Sequence, residues 1–140
     1  MEKVPYGKLE RYPHLSPREK EIWDRFIEKN PQFFKEVIYD ARVGEGRDYS
    51  DYPEDKIRED MEYLSKKRID VIGLIGDDVY VIEIRSKANL SAVGNALGLA
   101  ELVKNVFPAY KIIISAIITD EILPDMPELC HKIGVKLFLA

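Results

Sequence analysis

The stretch RIDVIGLIGDDVYVIEIRSK, from Arg68 to Lys87, holds two runs of β-branched and aliphatic residues. Each run carries one carboxylate where an apolar side chain would pack better: Asp70 in the first, Glu83 in the second. Between the runs, Gly76-Asp77 suits a two-residue strand reversal. In that register Ile75 faces Asp78, and counting back along both strands sets Asp70 opposite Glu83. Directly opposed residues share a sheet face, with Cβ atoms about 4.5–5.5 Å apart. Alternation puts Arg85 on the face of Glu83, and Ile82 and Ile84 on the other. A three-residue loop without a bulge would instead split the acids between faces.

Two carboxylates that close raise one another's pKa unless a positive charge lies between them. A divalent cation with hard oxygen ligands is the natural occupant, and Mg²⁺ is commonly held by one or two carboxylates, waters and a phosphate. The expected ligands are Asp70, Glu83 and the carbonyl of Ile84, with Mn²⁺ able to substitute for Mg²⁺. Such an ion would polarise a phosphate and acidify an attacking water. The alternative is that both acids point at solvent or pair with Arg68, Arg85 or Lys87.

The elements that must position these residues follow from periodicity and punctuation. Met1 to Leu15 reads as an irregular arm, and residues 16–140 as one domain, which suits a chain of 140 residues. Ser16, Pro17 and Glu19 form a helix-starting box, and Ile22, Phe26 and Ile27 give the helical stripe that ends at Asn30-Pro31. A first strand is expected over Lys35–Val43, then a polar loop, GEGRDYSDYPEDK, and a helix over Lys56–Lys67 with Ile57, Met61 and Leu64 on one stripe. After the hairpin come a helix over Ser91–Phe107, an interior strand over Tyr110–Thr119, a short helix around Pro127–Ile133 and a closing strand, VKLFLA. Gly94 and Gly98 would let the Ser91–Phe107 helix lie close to a neighbour. The predicted class is α/β, with a mixed sheet flanked by helices.

The formal net charge of −4 gives no global basic field, although a local patch and a bound metal can offset phosphate repulsion. The single cysteine, Cys130, excludes an internal disulfide and fits a reducing, cytoplasmic setting. The first twenty residues lack the apolar core of a signal peptide, and the greasiest run, Ile112 to Ile118, is too short to span a bilayer. A composition rich in charge with one glutamine, Gln32, leans towards a thermophile. Cys130-His131 and the distant His14 do not have zinc-finger spacing, and VGEG lacks the lysine of a phosphate-binding loop. Arg42 and Arg47 beside VGEG are candidates for backbone contacts, and Trp23 reads as core or rim.

With its acid on one strand and acid-x-base on the next, the stretch resembles the PD-(D/E)XK nuclease superfamily. Asp70 matches the first acid, Glu83 the second and Ile84 the spacer, while Arg85 stands at the lysine position and Ile69 at that of the proline. The flanking order resembles that superfamily's αβββαβ core, a restriction endonuclease-like fold, with the Lys56–Lys67 helix as an insertion. ALGLAELVK is similar to the helix that follows the third core strand, but its Gln-xxx-Tyr pair is replaced by Asn95 and Leu99, so that role is not carried over. The resemblance implies a Mg²⁺-dependent hydrolase that cuts DNA to leave a 5′-phosphate, often as a homodimer. It also implies a third acid from the first helix, where Glu19, Glu21 and Glu28 are available and Glu21 is preferred because Glu19 is engaged in the cap.

Arginine stays charged where lysine can lose its proton, so Arg85 is expected to orient the nucleophile or stabilise phosphate charge. Lys87, two residues on, is the stand-in for the missing amine. Lys66, Lys67 and Arg68 are candidates to grip a DNA backbone, or else an ordinary helix C-terminus. The alternative function is a catalytically weak or inactive nuclease-fold protein that binds nucleic acid or a protein partner. A third is a structural subunit of an assembly.

Overall fold

The computed structural model describes residues 1–107 and 112–140. A six-stranded mixed sheet runs in the order β1-β2-β3-β4-β5-β6, the order of the strands along the chain. The strands are β1 (Val4–Pro5), β2 (Glu36–Val43), β3 (Lys67–Ile75), β4 (Asp78–Ala88), β5 (Ile112–Ile122) and β6 (Val135–Leu139). The helices are α1 (Pro17–Lys29), α2 (Asp55–Leu64), α3 (Leu90–Val103) and α4 (Met126–Ile133). β1 to β4 pair antiparallel, whereas β4–β5 and β5–β6 are parallel, with α3 and α4 as their crossovers. Among the described residues, no helix is long and apolar enough to cross a membrane.

Local chemistry accounts for most boundaries. Ser16 Oγ accepts from the Glu19 N–H at 3.2 Å and the Glu19 carboxylate accepts from the Ser16 N–H at 3.1 Å, closing the expected capping box. α3 starts on Asn89, whose side chain accepts from the Ala92 N–H at 2.9 Å. Gly134, at φ 80°, ends α4 in the left-handed conformation that relieves a helix C-terminus.

One face of the sheet packs on α1, through Ile22, Trp23, Phe26 and Ile27 against Val37, Val71, Ile82, Ile84, Ala116 and Ile118. The other face packs on α3 and α4, through residues such as Ala96, Leu99, Val103, Met126 and Cys130. Trp23 is fully buried, and its indole N–H donates to Tyr39 Oη at 3.0 Å, so it belongs to the core. β5 is the covered interior strand its sequence predicts, with Ala116, Ile117 and Ile118 fully buried. Tyr110 and Lys111, where that strand is expected to begin, lie outside the described residues.

Three expectations need correction. The arm is tied down: Val4 and Pro5 pair with β2, and Tyr6 and Tyr12 pack into the α1 cluster. α2 buries none of its residues; Ile57 and Leu64 lie open, and its helix stops at Leu64 rather than Lys67. Polar bonds hold it instead, with the Arg47 N–H donating to Ser65 Oγ at 2.6 Å and Arg42 donating to the Leu64 carbonyl at 3.2 Å. Gly94 and Gly98 face open space and not a neighbouring backbone, because the apolar arc of α3 turns its other side to the sheet.

Gly73 does make room for something. A Cβ there would meet the ring of Phe34, which Tyr80, Phe33 and Tyr6 surround edge-on. Gly73→Ala is expected to lower stability by about 1–3 kcal/mol through overpacking, read as a lower urea midpoint. An unchanged midpoint would mean that the ring moves aside without loss.

Candidate functional site

The hairpin turn is the two-residue one. Ile75 pairs with Asp78, and the ladder runs through Leu74–Val79, Gly73–Tyr80, Ile72–Val81 and Val71–Ile82, which sets Asp70 opposite Glu83. Gly76 takes φ 56°, and Asp77 keeps a negative φ, the pattern of a type II′ turn with glycine at its first central position. Beyond Val71–Ile82 the ladder gives way. There the Ile84 N–H donates to Asp70 Oδ2 at 3.0 Å, so a side chain takes over from the main chain.

That parting opens a cleft of about 450 Å³. It is lined by Lys67, Arg68 and Asp70 of β3, Glu83, Ile84 and Arg85 of β4, Arg42 of β2, Glu19 of α1, and Asn95 and Leu99 of α3. Glu83 is only 5% exposed. Arg85 holds it with two nitrogens on one oxygen, Nε at 3.2 Å and Nη2 at 3.1 Å from Oε2. Among the described residues, no donor bonds to Oε1 of Glu83 or Oδ1 of Asp70.

Burial sets the electrostatics. The Glu83 carboxyl is pushed up to about 7 by desolvation first and by the neighbouring Asp70 charge second, with Arg85 pulling the other way. Desolvation also raises the Asp70 carboxyl, opposed chiefly by the bond from the Ile84 N–H. Glu19 repels both. The nearby arginines, Arg85 beside both acids and Arg68 beside Asp70, do not offset this burial, so both carboxyls stay above their ordinary values.

Among the described residues, no group of three or more His, Cys, Asp and Glu side chains is placed to hold a metal ion. Two carboxylates, each with a free oxygen, still match the protein contribution usual for Mg²⁺, which keeps waters and phosphate oxygens as its other ligands. The donor set fits a hard divalent cation. It does not suit zinc in a closed protein cage.

The structure gathers Asp70, Glu83, Ile84, Arg85, Lys67 and Arg68 on one cleft. It does not bring Lys87 or Lys66 there. β4 does continue through Lys87, but that side chain is exposed and its Nζ lies 4.0 Å from Glu121. Lys66 stands over the Tyr63 ring and beside the Gly44–Gly46 loop. Lys67 and Arg68 belong to β3, and the last turn of α2 has no basic residue, so the helix C-terminus reading does not describe them. The preference for Glu21 is also corrected: Glu21 pairs with Arg18 at 3.7 Å and Glu28 with Lys8, while Glu19 serves the cap and still reaches the cleft.

Sequence reasoning misses three cleft residues. Arg42 reads only as a neighbour of the glycine loop, and its strand carries it to the cleft. Asn95 and Leu99 read as a failed motif, yet their i, i+4 spacing presents both to the cleft from α3. Comparison of the chain with protein-family models, with curated proteins and with solved structures finds no match.

Glu83 binds its proton more tightly in the folded chain than at its ordinary value of 4.5. The ionised group therefore opposes folding, by an amount absent below about pH 4.5 that grows until above about pH 7, to on the order of 3 kcal/mol. Urea unfolding between pH 4 and 9 is expected to show the stability of Glu83→Gln gaining on that of the wild type across this window. Parallel profiles for the two proteins would contradict the assigned environment.

Proposed function

We propose that this protein is a Mg²⁺-dependent DNA phosphodiester hydrolase of the PD-(D/E)XK kind. The observation that carries the reading is the pair of half-satisfied acids, Asp70 and Glu83, brought together with Arg85 on a cleft rimmed by arginine and lysine. Two further features support it. The order α1, β2, β3, β4, α3, β5 follows the αβββαβ pattern of that superfamily, with α2 as an insertion and α4–β6 as an addition. The sheet order keeps the two acid-bearing strands side by side at its centre.

In this reading Asp70 and Glu83, with the Ile84 carbonyl, hold Mg²⁺, or Mn²⁺ in its place. When bound, the ion supplies charge stabilisation at the phosphate and an acidified water. The chain's own residues do the rest. Lys67, Arg68 and Arg42 draw the phosphate backbone into the cleft and fix its register. Arg85 stays cationic throughout and stabilises the charge that develops on the phosphate. Glu19, beside the acids, adds a third carboxylate to receive a water. Asn95 offers an amide to the sugar or base edge of the strand that enters.

A second reading, a nuclease-fold protein that binds DNA or a protein partner without cutting, is favoured by one contact. Arg85 sets two of its three side-chain nitrogens, Nε and Nη2, on Glu83, where the motif lysine would leave the acid freer.

Nicking of supercoiled plasmid separates the two. Wild-type protein is expected to nick with Mg²⁺ or Mn²⁺ and to stop with a chelator; Asp70→Asn and Glu83→Gln are expected to be inactive, and Arg85→Ala slower by about 10²–10³. Arg85→Lys is expected to retain or strengthen cutting. A wild-type protein that leaves plasmid intact with either metal, while still retarding it in a gel, would replace the hydrolase with the binding module.

A further inference from the structure

β2 and β3 both lose their phase at facing residues. In β2, Val37 and Tyr39 pack on the α1 side and Ile38 on the α3 side, yet Ala41 and Val43 also lie on the α3 side. In β3, Val71 packs on the α1 side, whereas Ile69 and Ile72, three residues apart, share the α3 side. Strict alternation forbids both patterns. The pairing runs from Tyr39–Val71 to Ala41–Ile69 and passes over the pair between them, Asp40 and Asp70.

Asp40 carries the backbone irregularity, at φ 50° in the middle of a strand. Aspartate tolerates that left-handed conformation better than most residues, although not freely. Its carboxylate is also a hub. Oδ1 lies 3.4 Å from Arg42 Nη2 and 3.8 Å from Arg68 Nε, and Oδ2 lies 3.1 Å from His14 Nε2 of the N-terminal arm. Arg42 and Arg68 are two of the cations that line the cleft.

We infer that Asp40 is a positioning residue for the cleft. Its left-handed backbone interrupts the β2–β3 ladder directly opposite Asp70, freeing Asp70 to turn to the Ile84 N–H beside Glu83. Its carboxylate meanwhile tethers Arg42 and Arg68 at the rim, where a phosphate would arrive. Asp40 touches no reacting atom; it acts through Asp70 and the two arginines. The structural part stands on geometry alone, and only its catalytic consequence rests on the hydrolase reading above.

Three variants separate backbone from charge. Asp40→Gly and Asp40→Ala both remove the carboxylate, but only glycine accepts positive φ at little cost. Asp40→Asn retains tolerance of that conformation and removes the charge. Amide hydrogen exchange at Ile84 reports the Asp70 contact without any need for catalysis. It is expected to be unchanged in Asp40→Asn and Asp40→Gly and faster by about tenfold in Asp40→Ala, the equivalent of the left-handed cost for a non-glycine residue. Equal Ile84 exchange in all four proteins would overturn the backbone role.

The charge role is read from cleavage. Asp40→Asn is expected to raise KM for DNA by about fivefold, the effect of losing the ion pairs to Arg42 and Arg68, with kcat within about twofold of wild type. An unchanged KM in a variant that cuts DNA would overturn the tether. If wild-type protein cuts nothing, the hydrolase reading fails by itself, and filter binding of DNA by Asp40→Asn and wild type decides on the tether: about fivefold weaker binding supports it, and equal binding overturns it.

Discussion

Two acids in the middle of an apolar strand pair constitute an electrostatic tension that the rest of the molecule is arranged around. Asp70 and Glu83 face each other because a two-residue turn at Gly76-Asp77 leaves no freedom of register. A one-residue slip would move every apolar side chain of β4 to the wrong layer, so the core itself enforces the juxtaposition. The α1 cluster on one face and the α3 clusters on the other thus hold the carboxylates as firmly as they hold each other.

The acids are not left to repel unchecked. Asp70 commits one oxygen to a backbone N–H and Glu83 commits one to Arg85, which leaves one oxygen of each for something else. A site built only for stability would complete the pairing or use apolar residues, since buried ionic groups gain little over well-packed hydrophobic ones. Retaining an acid with its pKa displaced to about 7 is a cost to the fold, and such costs gather where a protein binds or reacts. The basic rim points the same way. Arg42, Lys67 and Arg68 line the cleft of a chain whose overall charge is negative, so the cation density there is local.

The hairpin is legible in the sequence because its signals are local: a Gly-Asp turn, β-branched runs and a period of two. The capping box at Ser16 and the interior character of β5 are legible for the same reason. What escapes depends on tertiary placement. The stripe of α2 has the spacing of a buried face, but spacing does not reveal whether a partner layer exists, and here the helix hangs from polar bonds. Glu19 reads as occupied by the cap, whereas its carboxylate can accept a cap bond and still border the cleft. Lys87 has the right alternation, but the geometry at the end of β4 directs it to Glu121 and away from the acids. Asp40 has no sequence signal: KEVIYDARV reads as a continuous strand, and nothing in its pattern marks a left-handed residue in the middle.

We propose that the open oxygens of Asp70 and Glu83 together bind one divalent cation. Titration calorimetry of Mn²⁺ into the wild-type protein and into Asp70→Asn and Glu83→Gln tests it most directly. One site per chain is expected in the wild type, stronger at pH 8 than at pH 6 as Glu83 ionises, and lost in either variant. Absence of Mn²⁺ binding at pH 8, or binding that survives removal of both acids, would contradict it.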